Sequence, residues 1–193
     1  MPEKVFLTFD DGPNEPYTSQ ILDILKEFEA KASFFVCGKS VEYFPDVVQR
    51  IVNEGHAIGN HAYSHSMILT FTGFLRREIE KTTEIIQKVT GVRTNFFRPP
   101  WGVATPWIKS YLKANNYKLI LWDINSYDWA KAPARVIEEM VLKKIKPDSV
   151  VLLHDGKEAK LHSNRLQTVL ALPSLIKNLK RKGFICKNIN EKY

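Results

Sequence analysis

Short apolar runs recur along the chain, and each is followed by a segment whose apolar residues return every three or four positions. The runs are Val5–Phe9, Ala32–Val36, His56–Asn60, Asn95–Arg98, Leu119–Asp123, Ser149–Leu153 and Phe184–Cys186, rich in Val, Ile and Phe, and they predict strands. Between them, Thr18–Glu29 places Ile21, Leu22, Ile24, Leu25 and Phe28 at helical spacing. Val47–Asn53, with Asp46 as its expected cap and Gly55 as its stop, is a second helix, and Gly73–Thr90, stopped by Gly91, a third. Thr105 followed by Pro106 opens a fourth running toward Asn116. Pro133–Ile145 and Arg165–Lys182, stopped by Gly183, complete the set. Seven strands alternating with six helices predict βα units and a mainly parallel sheet, as an open doubly wound sheet or a closed barrel. In either form, chemistry belongs at the carboxyl ends of the strands.

Polar residues gather at those ends. The first strand runs into Asp10-Asp11-Gly12-Pro13, the third into Asn60-His61 with His65 following, and the fourth into Arg98-Pro99-Pro100-Trp101-Gly102. The fifth leads to Asp123, Asn125, Asp128 and Trp129, and the sixth to His154-Asp155-Gly156. Five strands delivering ionisable groups to one rim predict a site. His61 and His65 are four apart, so one helical turn would set both imidazoles on one side. Two His and one carboxylate leave a coordination position open, the pattern of a catalytic rather than a structural zinc. Either Asp10 or Asp11 could supply the carboxylate, and the other could take a proton from a water. Arg98 can hold a neighbouring carboxylate ionised. His154, if it faces Asp128, would have a raised pKa suited to a general acid. His56 and the loop residue His162 read as structural or solvated.

Composition narrows the classes further. The chain has 193 residues, 44% hydrophobic and 25% charged, which suits one globular domain over residues 1–193 and excludes disordered, collagenous and coiled-coil classes. No run of apolar residues is long enough to span a membrane, and no apolar leader opens the chain. Cys37 and Cys186 are too few and too far apart for a disulfide framework and read as buried thiols. The net charge of +7 is spread among Glu residues along helices, which predicts a solvated surface and no specific nucleic-acid partner.

In order, the motifs Thr8-Phe9-Asp10-Asp11-Gly12-Pro13, His61-Ala62-Tyr63-Ser64-His65, Arg98-Pro99-Pro100-Trp101-Gly102, Asp128-Trp129 and Leu152-Leu153-His154-Asp155 resemble the polysaccharide deacetylases of carbohydrate esterase family four, the NodB-homology domain. Asn164–Ile176 also looks familial, so the resemblance covers nearly the whole chain. It implies an α/β, single-domain distorted (β/α) barrel of about seven parallel strands. It implies a metal held by Asp11, His61 and His65, most simply Zn²⁺, with Co²⁺, Ni²⁺ and Mn²⁺ as other occupants. Asp10 would be the general base, oriented by Arg98, and His154 the general acid, tuned by Asp128. The Trp101 backbone N–H, in the turn that Pro100 opens, would help hold an oxyanion, and Trp129 with Leu152 would line an acetate pocket. The implied reaction is removal of N-acetyl groups from N-acetylglucosamine units of peptidoglycan or chitin-type oligomers by a monomer outside the cell or in its envelope. An acetylxylan O-acetyl esterase and a binding protein without turnover are the alternatives. The chain departs from the family at Ala62, where Ser or Thr is usual, at Trp101, where Tyr is usual, and at Asn125, where many members carry Asp. Besides Trp101 and Trp129, the rings of Tyr63, Trp107 and Tyr127 are candidate stacking faces for sugars.

Overall fold

The computed structural model describes residues 2–193. Eight strands and eight α-helices alternate in chain order: β1 (Glu3–Asp10), α1 (Tyr17–Glu27), β2 (Ala32–Val36), α2 (Gly38–Tyr43), α3 (Pro45–Asn53), β3 (Ala57–Asn60), α4 (Met67–Thr70), α5 (Leu75–Thr90), β4 (Phe96–Phe97), α6 (Pro106–Ala114), β5 (Lys118–Leu119), β6 (Ile124–Asn125), α7 (Ala134–Lys144), β7 (Val150–His154), α8 (Leu166–Arg181) and β8 (Phe184–Cys186). The strands are parallel and run in the order β5-β4-β3-β2-β1-β7-β6, with β8 added to the start of β1. The sheet curls into an α/β half-barrel, which agrees with the distorted (β/α) barrel the resemblance implies, whereas the alternation alone allowed an open sheet or a closed barrel.

β1 lies at the centre because nothing in Val5–Phe9 needs water. Those residues are buried on both faces, as a parallel strand under helices requires. Phe9 stacks on Phe34 of β2 at 5.2 Å, and Ile21, Leu22 and Leu25 of α1 close over the same cluster. Each such side chain contributes about 1.5–3 kcal/mol on burial. The register then carries the chemistry. Asp10 pairs with His154 across β1 and β7, and Asn60 pairs with Val36 and with Phe97. Because the ladder is parallel throughout, the strand ends reach the same rim.

The structure corrects several expectations. Leu119–Asp123 is not one strand. β5 pairs with β4 and β6 pairs with β7, while residues 120–123 cross the gap at which the barrel stays open. At the ends of that segment the Ile120 N–H still donates to the Phe97 carbonyl and the Asp123 N–H to the Val150 carbonyl, while the Arg98 guanidinium donates to the carbonyls of Ile120 and Leu121 and the Asp123 carboxylate accepts the Val150 N–H. Asp46 does not cap α3. Pro45 takes the first helical position and Asp46 sits in the first turn, where its charge still suits the helix dipole. Thr105 does cap α6, accepting from the Ile108 N–H. The short helices α2 and α4 have too few turns to show a period. His61 and His65 are not on a helix; they lie in the loop after β3, where Ala62 (φ 65°) and His65 (φ 54°) are left-handed.

Candidate metal centre and catalytic cleft

A cavity of about 610 Å³ opens on the rim where the strands end. Asp10, Asp11, His61, His65 and His154 all line it, so five sequence-selected residues from three strand ends meet. Leu152, Trp101 and Trp129 form further parts of its wall, and Asn125 lies there too. Arg98 and Asp128 are buried behind the wall, each against a lining residue. Pro100 is buried at the start of the 3₁₀ turn Pro100–Gly102 and does not line the cavity, so its contribution is to shape the turn that presents Trp101.

Asp11, with φ 77°, turns its carboxylate away from the strand line. Its Oδ1 lies 3.3 Å from Nε2 of His61 and 3.3 Å from Nε2 of His65. This oxygen is buried and has no hydrogen-bond partner. An orphaned carboxylate oxygen facing two imidazole nitrogens is costly unless a cation joins them. The three donor atoms lie within 4.8 Å of one another, and the residues fit a divalent metal. Outer contacts orient the ligands. His61 Nδ1 sits 2.7 Å from the Arg98 carbonyl, which places the proton on Nδ1 and leaves Nε2 free to coordinate. The Glu158 N–H holds the other Asp11 oxygen at 2.9 Å. Burial would raise the Asp11 pKa, but the adjacent His61, together with His65 and His154, overrides it and holds the carboxyl well below the usual carboxylate range.

Asp10 is set differently. Its Oδ1 accepts from Arg98 Nη1 at 2.6 Å, and its Oδ2 lies 3.7 Å from His61 Nε2. Arg98 is fully buried, bonds Thr8 Oγ1 at 2.8 Å, and lies 4.0 Å over the Phe35 ring. One carboxylate therefore faces the metal donors while its neighbour is hydrogen-bonded to a buried arginine.

His154 forms a second unit. Its ring Nδ1 and backbone N–H both reach the Asp128 carboxylate, at 2.8 and 2.7 Å, and Ser126 and Thr168 complete that carboxylate's shell. Burial would lower the His154 pKa, but Asp128 overrides it and pushes it up to about 9. The ring is thus a cation at neutral pH with its Nδ1 proton committed to Asp128.

Trp101, in a left-handed conformation (φ 54°), meets His65 edge-on at 4.3 Å. Trp129 is 52% exposed, with Tyr127 beside it at 6.3 Å. The other two ring candidates lie elsewhere. Trp107 packs on the cluster around Phe97, and Tyr63 bonds Glu42 and carries Lys81 over its ring. Trp122, which was not among the ring candidates, lines the cavity.

Sequence reasoning missed Asp155. Its carboxylate accepts from the Gly12 N–H (3.1 Å) and Thr18 Oγ1 (2.7 Å), tying the Asp10-Asp11 turn to the end of β7. Gly12 is required there, because a Cβ would lie 1.9 Å from that carboxylate. Asn60 and Glu78 were also missed. Asn60 accepts from the Ala62 N–H, and Glu78 takes the N–H groups of Tyr63 and Ser64, which together fold the loop between the two histidines. Asp155 was visible as the residue after His154; nothing in the sequence pointed to Glu78. As expected, both cysteines are buried free thiols.

A family model described as polysaccharide deacetylase matches residues 1–120. A Bacillus cereus peptidoglycan-N-acetylglucosamine deacetylase is 39% identical over 181 residues, covering 93% of this chain and 64% of its own length. A chitooligosaccharide deacetylase of Rhizobium leguminosarum bv. trifolii is 34% identical, covering 96% of this chain and 89% of the relative. The crystal structure of the Bc1960 peptidoglycan N-acetylglucosamine deacetylase superposes with a TM-score of 0.92 at 36% identity, covering 98% of this chain and 87% of that one. The chain thus spans about two thirds or less of the first curated relatives it matches, one of which it covers by only 32%.

Proposed function

The chain belongs to the polysaccharide deacetylase family, and on that premise we propose that residues 1–193 form one catalytic domain that removes N-acetyl groups from N-acetylglucosamine units of a cell-wall or chitin-type glycan. The observation that carries this reading is the pair of successive carboxylates in two environments. Asp11 Oδ1 is unpartnered between two imidazoles, whereas Asp10 is locked on Arg98 3.7 Å from one of them. Asp11, His61 and His65 would hold the metal, and Zn²⁺ suits two nitrogens and one oxygen. When bound, such an ion polarises the acetyl carbonyl and lowers the pKa of a water.

The remaining chemistry belongs to the chain. Asp10, oriented by Arg98, takes the proton of the attacking water. The Trp101 backbone N–H donates to the developing oxyanion. Protonated His154 gives its Nε2 proton to the departing sugar nitrogen, and Asp128 steadies the imidazolium before that transfer. The carbon–nitrogen bond breaks, leaving acetate and a free amine. Leu152 and Trp129 enclose the acetyl methyl. Every catalytic group comes from one chain, so a monomer suffices. No helix among the described residues is long and apolar enough to cross a membrane, and a polymeric glycan substrate places the action at the cell wall or outside the cell.

Acetate release from a chitin pentamer and from peptidoglycan tests the proposal, using protein stripped of metal and protein reloaded with zinc or cobalt. Metal-dependent release supports it. No release from protein shown to hold its metal overturns it.

A further inference from the structure

One stretch of surface reverses the usual pattern. In α4 the residue turned inward is Thr70, fully buried with its hydroxyl on the Ser66 carbonyl, while Met67 and Ile68 are 51% and 76% exposed. The turn that follows adds Phe71 and Phe74, at 57% and 55%. Phe74 stands at the N-cap of α5, where its ring offers no oxygen to the free N–H groups of the first turn. The core takes its apolar contacts here from Leu75 and Ile79, both buried. The fold therefore has no use for four large apolar side chains on this short segment. Exposed apolar residues scattered singly are ordinary, whereas a cluster of them marks a surface that is covered in use.

The charges beside the cluster point to what covers it. Between Glu54 and Glu78 the chain has no acidic residue. Arg76 and Arg77 are exposed, and neither forms an ion pair among the described residues. Arg77 lies over the Phe74 ring, 5.3 Å from its centre, so cation and apolar cluster share one surface. The first acidic residues after them are committed elsewhere: Glu78 takes the N–H groups of Tyr63 and Ser64, and Glu80 the hydroxyl of Tyr111. An apolar cluster bordered by unpaired arginines matches a layer that is anionic at its surface and hydrocarbon beneath. A second copy of this chain fits less well. It would bring the same arginines toward each other, and four side chains fall short of the ~800 Å² that each partner of a stable pair buries.

We propose that residues 67–74 form a membrane-docking surface, in which Met67, Ile68, Phe71 and Phe74 enter the interface of a bilayer carrying anionic lipids and Arg76 and Arg77 meet its headgroups. The contact is peripheral, since no helix among the described residues is long and apolar enough to cross a membrane. Met67 follows His65 by two residues, so docking would hold the cleft beside the bilayer. The inference is independent of the deacetylase reading, because lipid binding requires no turnover.

The test is flotation of the full chain with vesicles of equal parts phosphatidylglycerol and phosphatidylcholine. The protein should float with them, and about tenfold less with phosphatidylcholine alone. Ile68→Ser and Phe71→Ser should each weaken the partition at least about fivefold. Replacing both arginines, Arg76→Gln with Arg77→Gln, should weaken it about tenfold on the anionic vesicles and leave the residual binding to phosphatidylcholine unchanged. Leu170→Ser removes a comparably exposed side chain from α8 and should change nothing. Circular dichroism checks that each variant keeps its fold. An unaltered chain that stays with the soluble fraction overturns the proposal, as does full flotation of Ile68→Ser and Phe71→Ser. An equal loss in Leu170→Ser would mark general stickiness and overturn it too. A dimer in sedimentation velocity that Phe71→Ser dissolves would make the cluster a self-interface, which also overturns it.

Discussion

β3 carries one buried histidine just before its first residue and another just after its last. His56, at the amino end, accepts the Ala32 N–H on Nδ1 and packs edge-on against Phe34 at 5.6 Å. Burial, with Lys31 and Arg50 nearby, pushes its pKa down to about 4, so it stays neutral and joins strands. His61, at the carboxyl end, meets Asp10 and Asp11 instead; burial would lower its pKa, but those carboxylates raise it. The two residues are of one type, equally buried and five positions apart. What separates them is the direction of the strand. In a parallel sheet the carboxyl ends release the chain into loops that can bring side chains together, whereas the amino ends receive it from helices and are packed.

The largest effects should follow from removing the carboxyl-end donors. His61→Ala or Asp11→Asn should abolish metal binding, read by elemental analysis, and lower acetate release by at least about a thousandfold. Asp10→Asn and His154→Ala should retain the metal and lose about 10²–10⁴-fold in kcat, since each removes one proton-transfer group. Near-normal turnover in either variant would remove that residue from the mechanism.

A pH profile sharpens the contrast. His154 must be protonated to act as the acid, and its pKa stands near 9, so activity should fall as pH rises through about 9. Asp128→Asn removes the largest of the charges that raise this pKa, and the falling limb should move to lower pH, with only Asp11 and Asp10 left to oppose burial. The stabilising contribution of this pair is present below pH 6.5 and is lost as pH rises through 9.

At the other end of β3, protonation opposes folding. His56 titrates near 4 when folded and near 6.5 when unfolded, so its contribution is present above pH 6.5 and is lost as pH falls toward 4. The loss amounts to about 3 kcal/mol at most. His56→Gln should flatten that acid limb in urea titrations without altering metal content. Any change in metal content would break the comparison between the two ends. The smallest effect belongs to the rim: Trp129→Ala should raise KM a few-fold, since an exposed ring adds stacking worth about 1 kcal/mol.

Much of the site was legible because local sequence carries it. An Asp pair after an apolar run, a His pair after another, and an Arg flanked by Phe97 and two prolines each announce a strand end. The helical spacing of His61 and His65 was misleading. A loop with two left-handed residues brings their rings together, and that loop is held by Asn60 beside it and by Glu78, which comes from the later helix α5. The break in Leu119–Asp123 was equally hidden, because the carbonyls of Ile120 and Leu121 are taken by the Arg98 guanidinium from another strand end.

The sequence by itself determined the alternation of strands and helices, the rim on which chemistry would gather, and the residue types available there. Periodicity and chain direction are local properties, and both are read one residue at a time. Only the tertiary structure decided the geometry by which Asp11 faces the two imidazoles and Asp10 faces Arg98, and that the barrel stays open between β5 and β6. Those outcomes depend on which groups, far apart along the chain, exclude water from one another, and spacing along the chain carries no record of that.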